Sequence, residues 1–309
     1  MEQKNGLVIK STGSRYTVLS DDGTIMICRI RGKIRLQGIK STNPVSVGDR
    51  VVFDADESGE GVISEIKERK NYIIRKATNL SKESHIIAAN VDQAVLIVTI
   101  NYPMTSRVFV DRFIAASEAY GIPVTLVFNK TDRYDAKHMQ ILNEWRELYE
   151  GIGYKTMAVS AKKQEDLSEF QNLLKDKITV LSGHSGVGKS TLINRVEPSL
   201  NLKTAEISSI HHSGKHTTTF AEMHALSFGG YIIDTPGIRG FGLIHIEREE
   251  LYHYFKELFE FAKDCRFNNC SHYSEPGCSV KKAVEEGHIA LSRYESYLSI
   301  LLDKNEKYR

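Results

Sequence analysis

Short runs of alternating apolar and polar residues open the chain. Within residues 1–70 the strand-like stretches are GLVIK, YTVLSDDGTIMICRI and VGDRVVFDADESGEGVISEIK. The segments DDG and ESGEG inside them have the composition of tight turns. Several short strands joined by such turns predict a small all-β barrel or sandwich.

From about residue 90 the pattern changes to apolar strands that alternate with amphipathic helices. Such alternation predicts a parallel sheet covered by helices on both faces. The predicted strands are AVLIVTI (94–100), IPVTLVF (122–128), YKTMAVS (154–160), ITVLS (178–182) and YII (231–233), and the predicted helices span 106–121, about 135–150 and 165–175.

The chain from about residue 247 onward has a helical pattern that a cysteine-rich segment interrupts. In its last helix Leu291, Tyr294, Leu298 and Leu301 fall on one face, which we interpret as ordinary core.

Composition narrows the class of protein. With 309 residues the chain is long enough for two or three domains, and 41% hydrophobic and 26% charged residues are ordinary for a globular protein. The run AVLIVTI is too short to span a bilayer, and the polar N-terminus MEQKNGLVIK has no apolar signal core. We therefore expect a cytoplasmic protein with no membrane partner. A net charge of +2 does not by itself indicate a partner.

A glycine-rich loop follows the strand ITVLS and precedes the helix TLINRV. The stretch Gly183-x4-Gly188-Lys189-Ser190 has the spacing of a loop that binds nucleotide phosphates. Glycines let backbone N–H groups surround an anion, and the positive end of a helix faces it. We expect Lys189 at the β and γ phosphates and Ser190 on Mg²⁺. The candidate residues are Gly183, His184, Ser185, Gly186, Val187, Gly188, Lys189, Ser190 and Thr191.

The segment DTPG at 234–237 follows the strand YII. An acidic side chain at a strand end is placed to hold Mg²⁺, usually through water, and a glycine N–H can approach a γ phosphate. Alone the segment would be a plain turn. Downstream of a phosphate loop it favours nucleotide binding by Asp234 and Gly237.

Two further segments are candidates for recognising the base of the nucleotide. Asn129-Lys130-Thr131-Asp132 follows the strand IPVTLVF, and Ser160-Ala161-Lys162 follows YKTMAVS. Both therefore lie at the carboxyl ends of strands, where ligands bind in open α/β sheets. A carboxylate can accept hydrogen bonds from guanine N1–H and N2–H₂, whereas adenine would leave it desolvated and unpaired. The pair of segments thus predicts GTP or GDP.

The cysteines are few and clustered. Cys265-x4-Cys270-x-His272-x5-Cys278 supplies three thiolates and one imidazole, which is a complete tetrahedral set for one structural Zn²⁺. With no open position, catalysis by this metal is not expected. The alternative is four unrelated buried residues.

The base-selecting segments precede the phosphate loop, so the motif order of an ordinary GTPase is circularly permuted. This order, with GKHTTT at 214–219, DTPGIRGFGLIH at 234–245 and CRFNNCSH...EPGC at 265–278, closely resembles the RsgA/YjeQ family over nearly the whole chain. The resemblance implies an N-terminal OB-fold barrel, a circularly permuted α/β P-loop GTPase domain and a C-terminal helical zinc domain. It also implies maturation of the small ribosomal subunit, with GTP hydrolysis that is faster on that subunit.

The resemblance places the first switch at Thr217–Thr219, and we select Thr218 and Thr219 as catalytic candidates, although the sequence does not say which threonine ligates Mg²⁺. Ile238 stands where many GTPases have a glutamine that orients water, so the intrinsic rate should be slow. By similarity to the family's GLxH stretch, His245 is the candidate for positioning water. The alternative is that His245 only packs near a switch.

Residues 28–40 alternate basic and apolar side chains. In a strand Arg29, Arg31, Lys33 and Arg35 would share one face, whereas Cys28 would point into the core. A solvated charged edge and a nucleic-acid surface explain this pattern equally well. The family resemblance favours rRNA.

Together these features predict a GTP hydrolase, activated by the small ribosomal subunit, that acts late in maturation of that subunit. We expect a monomer with an RNA-binding barrel at 1–70, the permuted GTPase domain at 71–246 and the zinc domain at 247–309. Two alternatives stay open. Ile238 permits a GTP-gated RNA-binding scaffold with incidental hydrolysis, and the phosphate loop alone permits an ATPase.

Overall fold

The chain forms two compact units, each built from several segments of the sequence. We call residues 1–94, 165–182 and 189–239 the first unit, and residues 95–164, 183–188 and 240–309 the second unit. The computed structural model describes residues 2–30, 44–55, 60–76, 84–163, 165–202, 222–234 and 246–303.

A closed five-stranded barrel begins the first unit. Its strands follow the order β1-β2-β3-β5-β4, and β1 also pairs with β4. The pairing of β3 with β5 is parallel, and the other pairings in the barrel are antiparallel. The strands are β1 (Glu2–Ser11), β2 (Tyr16–Ser20), β3 (Ile25–Ile30), β4 (Arg50–Ala55) and β5 (Glu60–Ile66).

Alternating side chains fill this barrel. Tyr16, Val18 and Cys28 belong to its buried cluster, together with Phe53 of β4. Cys28 is 1% exposed, which confirms its predicted place in the core. Its neighbour Arg29 points outward and pairs with Glu60 at 3.3 Å. The rest of the predicted basic strand, residues 31–40, lies outside the described residues.

A small two-stranded antiparallel sheet follows the barrel and was not predicted. It consists of β6 (Tyr72–Lys76) and β7 (Ser84–Ala89). Just before it, Arg69 donates two hydrogen bonds of 2.6 Å to the fully buried carboxylate of Asp49. This ion pair holds the residues between β5 and β6 against the barrel.

The α/β part of the first unit contains β11 (Ile178–Ser182), β12 (Glu222–Ala225) and β13 (Tyr231–Asp234), with helices α3 (Ser168–Leu174) and α4 (Lys189–Val196). The strand order is β11-β13-β12-β1.

The predicted parallel pairing is confirmed for β11 with β13, but β12 was not predicted and runs antiparallel to β13. Strand β12 also pairs with β1 of the barrel, where Lys10 lies opposite Glu222 and forms a 3.0 Å ion pair.

The second unit begins with three strands in the order β10-β9-β8. The described residues of β8 and β9 are all buried, as expected for strands covered on both faces, and β9 pairs with β10 in parallel. The elements are β8 (Gln93–Val98, in this unit from Val95), β9 (Val124–Phe128), β10 (Lys155–Ala158), α1 (Arg107–Ala119) and α2 (Ala136–Gly151).

Four short helical segments complete the second unit. They are a 3-10 helix (Arg248–Tyr254), α5 (Lys256–Ala262), α6 (Ser279–Glu285) and α7 (Leu291–Leu301). None of the helices within the described ranges has the length and hydrophobicity needed to span a membrane.

The predicted core face of the last helix is wrong at Leu291, which is 60% exposed. The buried face of α7 includes Arg293 and Tyr297 instead. The physical reason is that Arg293 has two buried carboxylate partners, Asp111 and Glu257, which turn this face inward.

Candidate functional site

Asn129 joins three predicted segments within the second unit. It follows β9 directly and is fully buried. Its Nδ2 donates to the carbonyl of Val187 in the phosphate loop at 2.8 Å, and its Oδ1 accepts from the N–H of Ala161 at 3.1 Å. One amide side chain therefore holds together the stretches that begin at 129, 160 and 183.

Two glycines of the phosphate loop lie where no larger residue fits. Gly188 has a φ of +95°, and a Cβ there would lie 2.4 Å from Asn129 Nδ2. Gly183 has a φ of +145°, and a Cβ there would lie 2.3 Å from the carbonyl oxygen of Ile97. The loop thus needs glycine both for its backbone conformation and for its close contacts.

Lys130 fixes the position of the loop. Its backbone is left-handed, with a φ of 64°. Its Nζ donates to the carbonyl of Gly186 at 2.6 Å and to that of Tyr102 at 2.7 Å. Burial lowers the pKa of Lys130, and the positive charges of Arg133 and Lys162 add to the effect. Lys130 therefore joins the NKTD segment to the phosphate loop and to Tyr102.

Asp132 is oriented by the neighbouring segment. Ser160 Oγ donates to Asp132 Oδ1 at 2.6 Å and accepts from the N–H of Lys163 at 3.1 Å. The N–H of Thr131 donates to the carbonyl of Val159 at 3.2 Å. Asp132 is half-buried, and the hydrogen bond from Ser160 holds its carboxylate near the carboxyl ends of β9 and β10.

Tyr134 is a supporting residue that the sequence reasoning missed. Its hydroxyl donates to the carbonyl of Asn129 at 2.7 Å and accepts from the N–H of Ile100 at 2.9 Å. Burial raises the pKa of Tyr134 to about 12, so it stays a hydroxyl at neutral pH. It lies just past the NKTD segment, but its sequence position offers no signal of this role.

The remaining residues of the loop differ in exposure. Ser185 and Gly186 are exposed, and Val187 is fully buried. The half-buried ring of His184 lies against the ring of Phe109, with centroids 3.8 Å apart. Phe109 belongs to the first turn of α1, within the helix predicted over 106–121.

The last three residues of the predicted phosphate loop begin helix α4 of the first unit. Lys189 is its first residue and is half-buried, as is Thr191, whereas Ser190 is 6% exposed. In sequence they follow Gly188 directly. The predicted strand–loop–helix order is therefore confirmed.

Several candidates lie beyond what the structure describes. Asp234 ends β13, and its backbone is opposite Glu222, but its side chain is outside the description. The catalytic candidates Thr218, Thr219 and His245 fall outside the described residues, as do Thr217, Ile238 and Gly237.

The cysteine-rich segment brings its four predicted ligands together. The ligand atoms of Cys265, Cys270, His272 and Cys278 all lie within 4.8 Å of one another. His272 Nδ1 lies 3.6 Å from Cys265 Sγ and 3.5 Å from Cys278 Sγ. The two sulfurs are 3.9 Å apart. These separations suit ligands about 2.0–2.3 Å from one tetrahedral ion.

The chemistry of this cluster also suits a cation. Burial raises the pKa of Cys270 to about 12 and raises that of Cys278, whereas burial lowers the pKa of His272. A bound dication is what stabilises thiolates in such surroundings. Nε2 of His272 is buried without a hydrogen-bond partner among the described residues, which leaves Nδ1 as the nitrogen facing the sulfurs. The cluster can therefore hold one metal ion.

Tyrosine side chains, two of them from helix α7, contact the segment that carries His272. The hydroxyl of Tyr294 donates to the carbonyl of His272, and that of Tyr297 donates to the carbonyl of Ser271, both at 2.7 Å. The ring of Tyr252 lies edge-on to His272, with centroids 4.6 Å apart. These contacts fix the backbone that carries the imidazole.

Two family models match the chain from residue 5 to residue 244 almost without a gap. The model described as RsgA GTPase matches residues 66–244, and the model described as RsgA N-terminal domain matches residues 5–63. The chain belongs to the RsgA family. A GTPase is a hydrolase, so this RsgA-family chain is a GTP-hydrolysing enzyme, and membership implies Mg²⁺ bound with GTP.

Curated RsgA proteins resemble the chain over its full length. The protein named small ribosomal subunit biogenesis GTPase RsgA from Bacteroides fragilis (strain ATCC 25285) is 55% identical and covers 98% of each chain. The proteins of that name from Phocaeicola vulgatus and Porphyromonas gingivalis are 56% and 53% identical, and cover 98% and 99% of this chain.

Two solved structures share the architecture of this chain. The crystal structure of YjeQ from Thermotoga maritima matches with a TM-score of 0.79 and 38% identity, and covers 97% of this chain and 98% of that chain. The structure of YloQ, described as a circularly permuted GTPase, matches with a TM-score of 0.74 and 32% identity, over 97% and 94% of the two chains. The predicted fold class, an OB-like barrel with a permuted GTPase and a Cys3His cluster, is thereby confirmed.

Proposed function

We propose that this chain binds GTP through the residues described above and hydrolyses it late in the maturation of the small ribosomal subunit. The observation that carries the proposal is the position of Asn129, whose amide joins the phosphate loop to the SAK segment. The named function of the curated relatives supports the biological setting.

Guanine selection rests on Asp132. Ser160 Oγ donates to one carboxylate oxygen of Asp132 at 2.6 Å, which fixes the orientation of the carboxylate. Guanine offers N1–H and N2–H₂ to such a carboxylate, whereas adenine offers neither donor. Asn129 faces N7, the Lys130 stem packs on the base, and guanine O6 shares the N–H of Ala161 with Asn129 Oδ1. Thr131 and Lys162, the remaining residues of the NKTD and SAK segments, also belong to the proposed nucleotide site.

Phosphate binding falls to residues 183–191. The backbone N–H groups surround the phosphates, Lys189 neutralises charge on the β and γ phosphates, and Ser190 ligates Mg²⁺. Asp234 holds the same ion through water, and the N–H of Gly237 approaches the γ phosphate. Thr218 or Thr219 of the first switch completes the Mg²⁺ shell.

Hydrolysis requires an oriented water molecule. Because Ile238 offers no hydrogen bond, we assign that role to His245 and expect slow turnover by the free protein. Docking on the small subunit would place His245 beside the attacking water.

For the metal cluster we propose one structural Zn²⁺. Three sulfurs and Nδ1 of His272 fill a tetrahedral shell, so no position is left for substrate. The ion would hold the loop between α5 and α6 in one conformation, since this segment is short of apolar core.

We further propose rRNA as the contact of the barrel, through the basic residues Arg29, Arg31, Lys33 and Arg35. The proposed division is 1–70 for this RNA-binding domain, 71–246 for the GTPase domain and 247–309 for the zinc domain. We propose a monomer that works in the cytoplasm, where ribosomal subunits are assembled.

Phosphate release from GTP, measured with and without purified small ribosomal subunits, tests the function. Large subunits serve as the control. A rise with small subunits alone supports the proposal, whereas equal rates in all three conditions would remove the assembly role.

A second measurement tests the base. Asp132→Asn should weaken GTP binding by at least about tenfold, since one good hydrogen-bonded charge contributes about 1.5–3 kcal/mol. It should also strengthen binding of xanthosine triphosphate, whose 2-oxo group accepts from the new amide. Unchanged GTP affinity would exclude Asp132 as the base ligand.

A further inference from the structure

Helix α1 has contacts on two sides that the proposed reaction does not use. Phe109, in its first turn, lies against the phosphate-loop residue His184, with ring centroids 3.8 Å apart and planes at 30°. Asp111 is two residues further on and therefore faces a different direction. It accepts a 2.7 Å hydrogen bond from Arg293 of α7.

The contact between α1 and the C-terminal segments includes three ion pairs. Besides Asp111 with Arg293, Glu118 pairs with Lys256 at 2.9 Å, and Arg112 pairs with Asp303 at 2.8 Å. The first pair is fully buried and the others are partly exposed. Arg293 of α7 is buried between Asp111 of α1 and Glu257 of α5, so a shift of α1 relative to α7 would separate a buried ion pair at a large cost in free energy.

Helix α7 continues the connection to the metal cluster. Arg293 faces α1, and the next turn presents Tyr297, whose hydroxyl donates to Ser271 beside the ligand His272. Tyr294 donates directly to the carbonyl of His272. A continuous set of packed and hydrogen-bonded groups thus runs from the phosphate loop to the metal-binding loop within the second unit.

We propose that Phe109 is a positioning residue for the phosphate loop, through which α1 couples the nucleotide state to the C-terminal helices. A change at His184 moves the ring of Phe109, and α1 transmits the displacement through Asp111 to Arg293. In the reverse direction, a partner that moves α7 sets the position of the loop. The inference rests on the proposed function in that His184 belongs to the proposed nucleotide site.

Phe109→Leu tests the coupling, because leucine keeps apolar volume and removes the ring contact. Phe109→Tyr keeps the aromatic ring against His184 and should therefore retain the coupling. Phe261→Leu is the matched control, since Phe261 also stacks on a histidine, His288 at 5.8 Å, which is not a residue of the phosphate loop. In all three variants the covalent connection through residues 235–245 is intact, so any effect arises from packing.

Hydrogen exchange of the full chain, with GDP or a non-hydrolysable GTP analogue, is the first measurement. Binding of both nucleotides is measured beforehand on every variant. In the parent chain, Phe109→Tyr and Phe261→Leu, we expect helix α7 to exchange at different rates in the two states. In Phe109→Leu that difference should be lost. Equal rates in the parent chain, or a difference that persists in Phe109→Leu, would overturn the inference.

Steady-state hydrolysis on small subunits is the second measurement. In Phe109→Leu the ratio of stimulated to basal kcat should fall by at least about fivefold, whereas Phe109→Tyr and Phe261→Leu should keep the ratio of the parent chain. A rise in KM with unchanged kcat would indicate a merely structural contact and count against the coupling. Because the exchange measurement contains no ribosomal subunit, absence of stimulation in the parent chain defeats the proposed function separately.

Discussion

Arg293 is the most deeply buried cation of the second unit's described residues, and its removal gives a sharp test of the packing argument. It is 1% exposed and lies between Asp111 and Glu257, with Nε–Oε1 and Nη1–Oδ1 distances of 2.6 and 2.7 Å. Its guanidinium also lies 4.5 Å from the ring centre of Phe255. Burial would lower the pKa of Arg293, but the two carboxylates more than offset this and raise it.

The expected loss in the free energy of unfolding follows from the two buried carboxylates that Arg293→Met leaves without a cation. Asp111 and Glu257 stay at 1% and 9% side-chain exposure without their cation. Breaking a buried ion pair from one side destabilises a protein by about 3–5 kcal/mol, since a buried charge is left uncompensated. With a urea m-value of about 2–3 kcal/mol/M, the midpoint should fall by about 1–2.5 M.

Urea unfolding, followed by tryptophan fluorescence, measures the loss of stability in Arg293→Met. The chain has one tryptophan, and Trp145 lies 6.2 Å from the ring of Tyr149, whose hydroxyl donates to Asp111. The signal therefore reports on the unit that contains the ion pair. Lys256→Met is the matched control: its pair with Glu118 is partly exposed, so the loss should stay below about 1 kcal/mol.

A triple variant separates charge from shape. Arg293→Met combined with Asp111→Asn and Glu257→Met removes every charge but leaves an amide oxygen to accept from Tyr149. Because well-packed neutral replacements of buried ion pairs are often tolerated, we expect stability within about 2 kcal/mol of the parent chain. If Arg293→Met alone loses less than about 1 kcal/mol, the uncompensated-charge reasoning is refuted.

Three further predictions concern the two sites. Cys270→Ser should abolish the binding of one zinc per chain, as elemental analysis would show, and full zinc content would refute the ligand set. Gly188→Ala should remove detectable binding of labelled GTP, because the new Cβ would lie 2.4 Å from Asn129 Nδ2; retained affinity would contradict the close packing. Tyr134→Phe leaves the N–H of Ile100 without its partner and should raise the KM for GTP about fivefold or more, the equivalent of about 1 kcal/mol. An unchanged KM would mean that the bridge does not support base binding.

Sequence patterns of short range were sufficient for much of the molecule. The strand ITVLS, the helix that starts at Lys189 and the core position of Cys28 follow from local periodicity and turn chemistry. The four ligands of the metal cluster follow from spacing within 14 residues of sequence. Each of these features depends on side chains that are neighbours along the chain, so the sequence alone determines them.

Contacts between distant residues were decided by the tertiary structure. Arg293 and Asp111 are 182 positions apart, and in the sequence Arg293 is a charged residue off the predicted apolar face, which is why Leu291 was wrongly expected in the core. Tyr134 offers no motif, since its role depends on Ile100 of another segment. Periodicity states which residues are buried but not which group they meet, because partner identity depends on how non-adjacent elements pack.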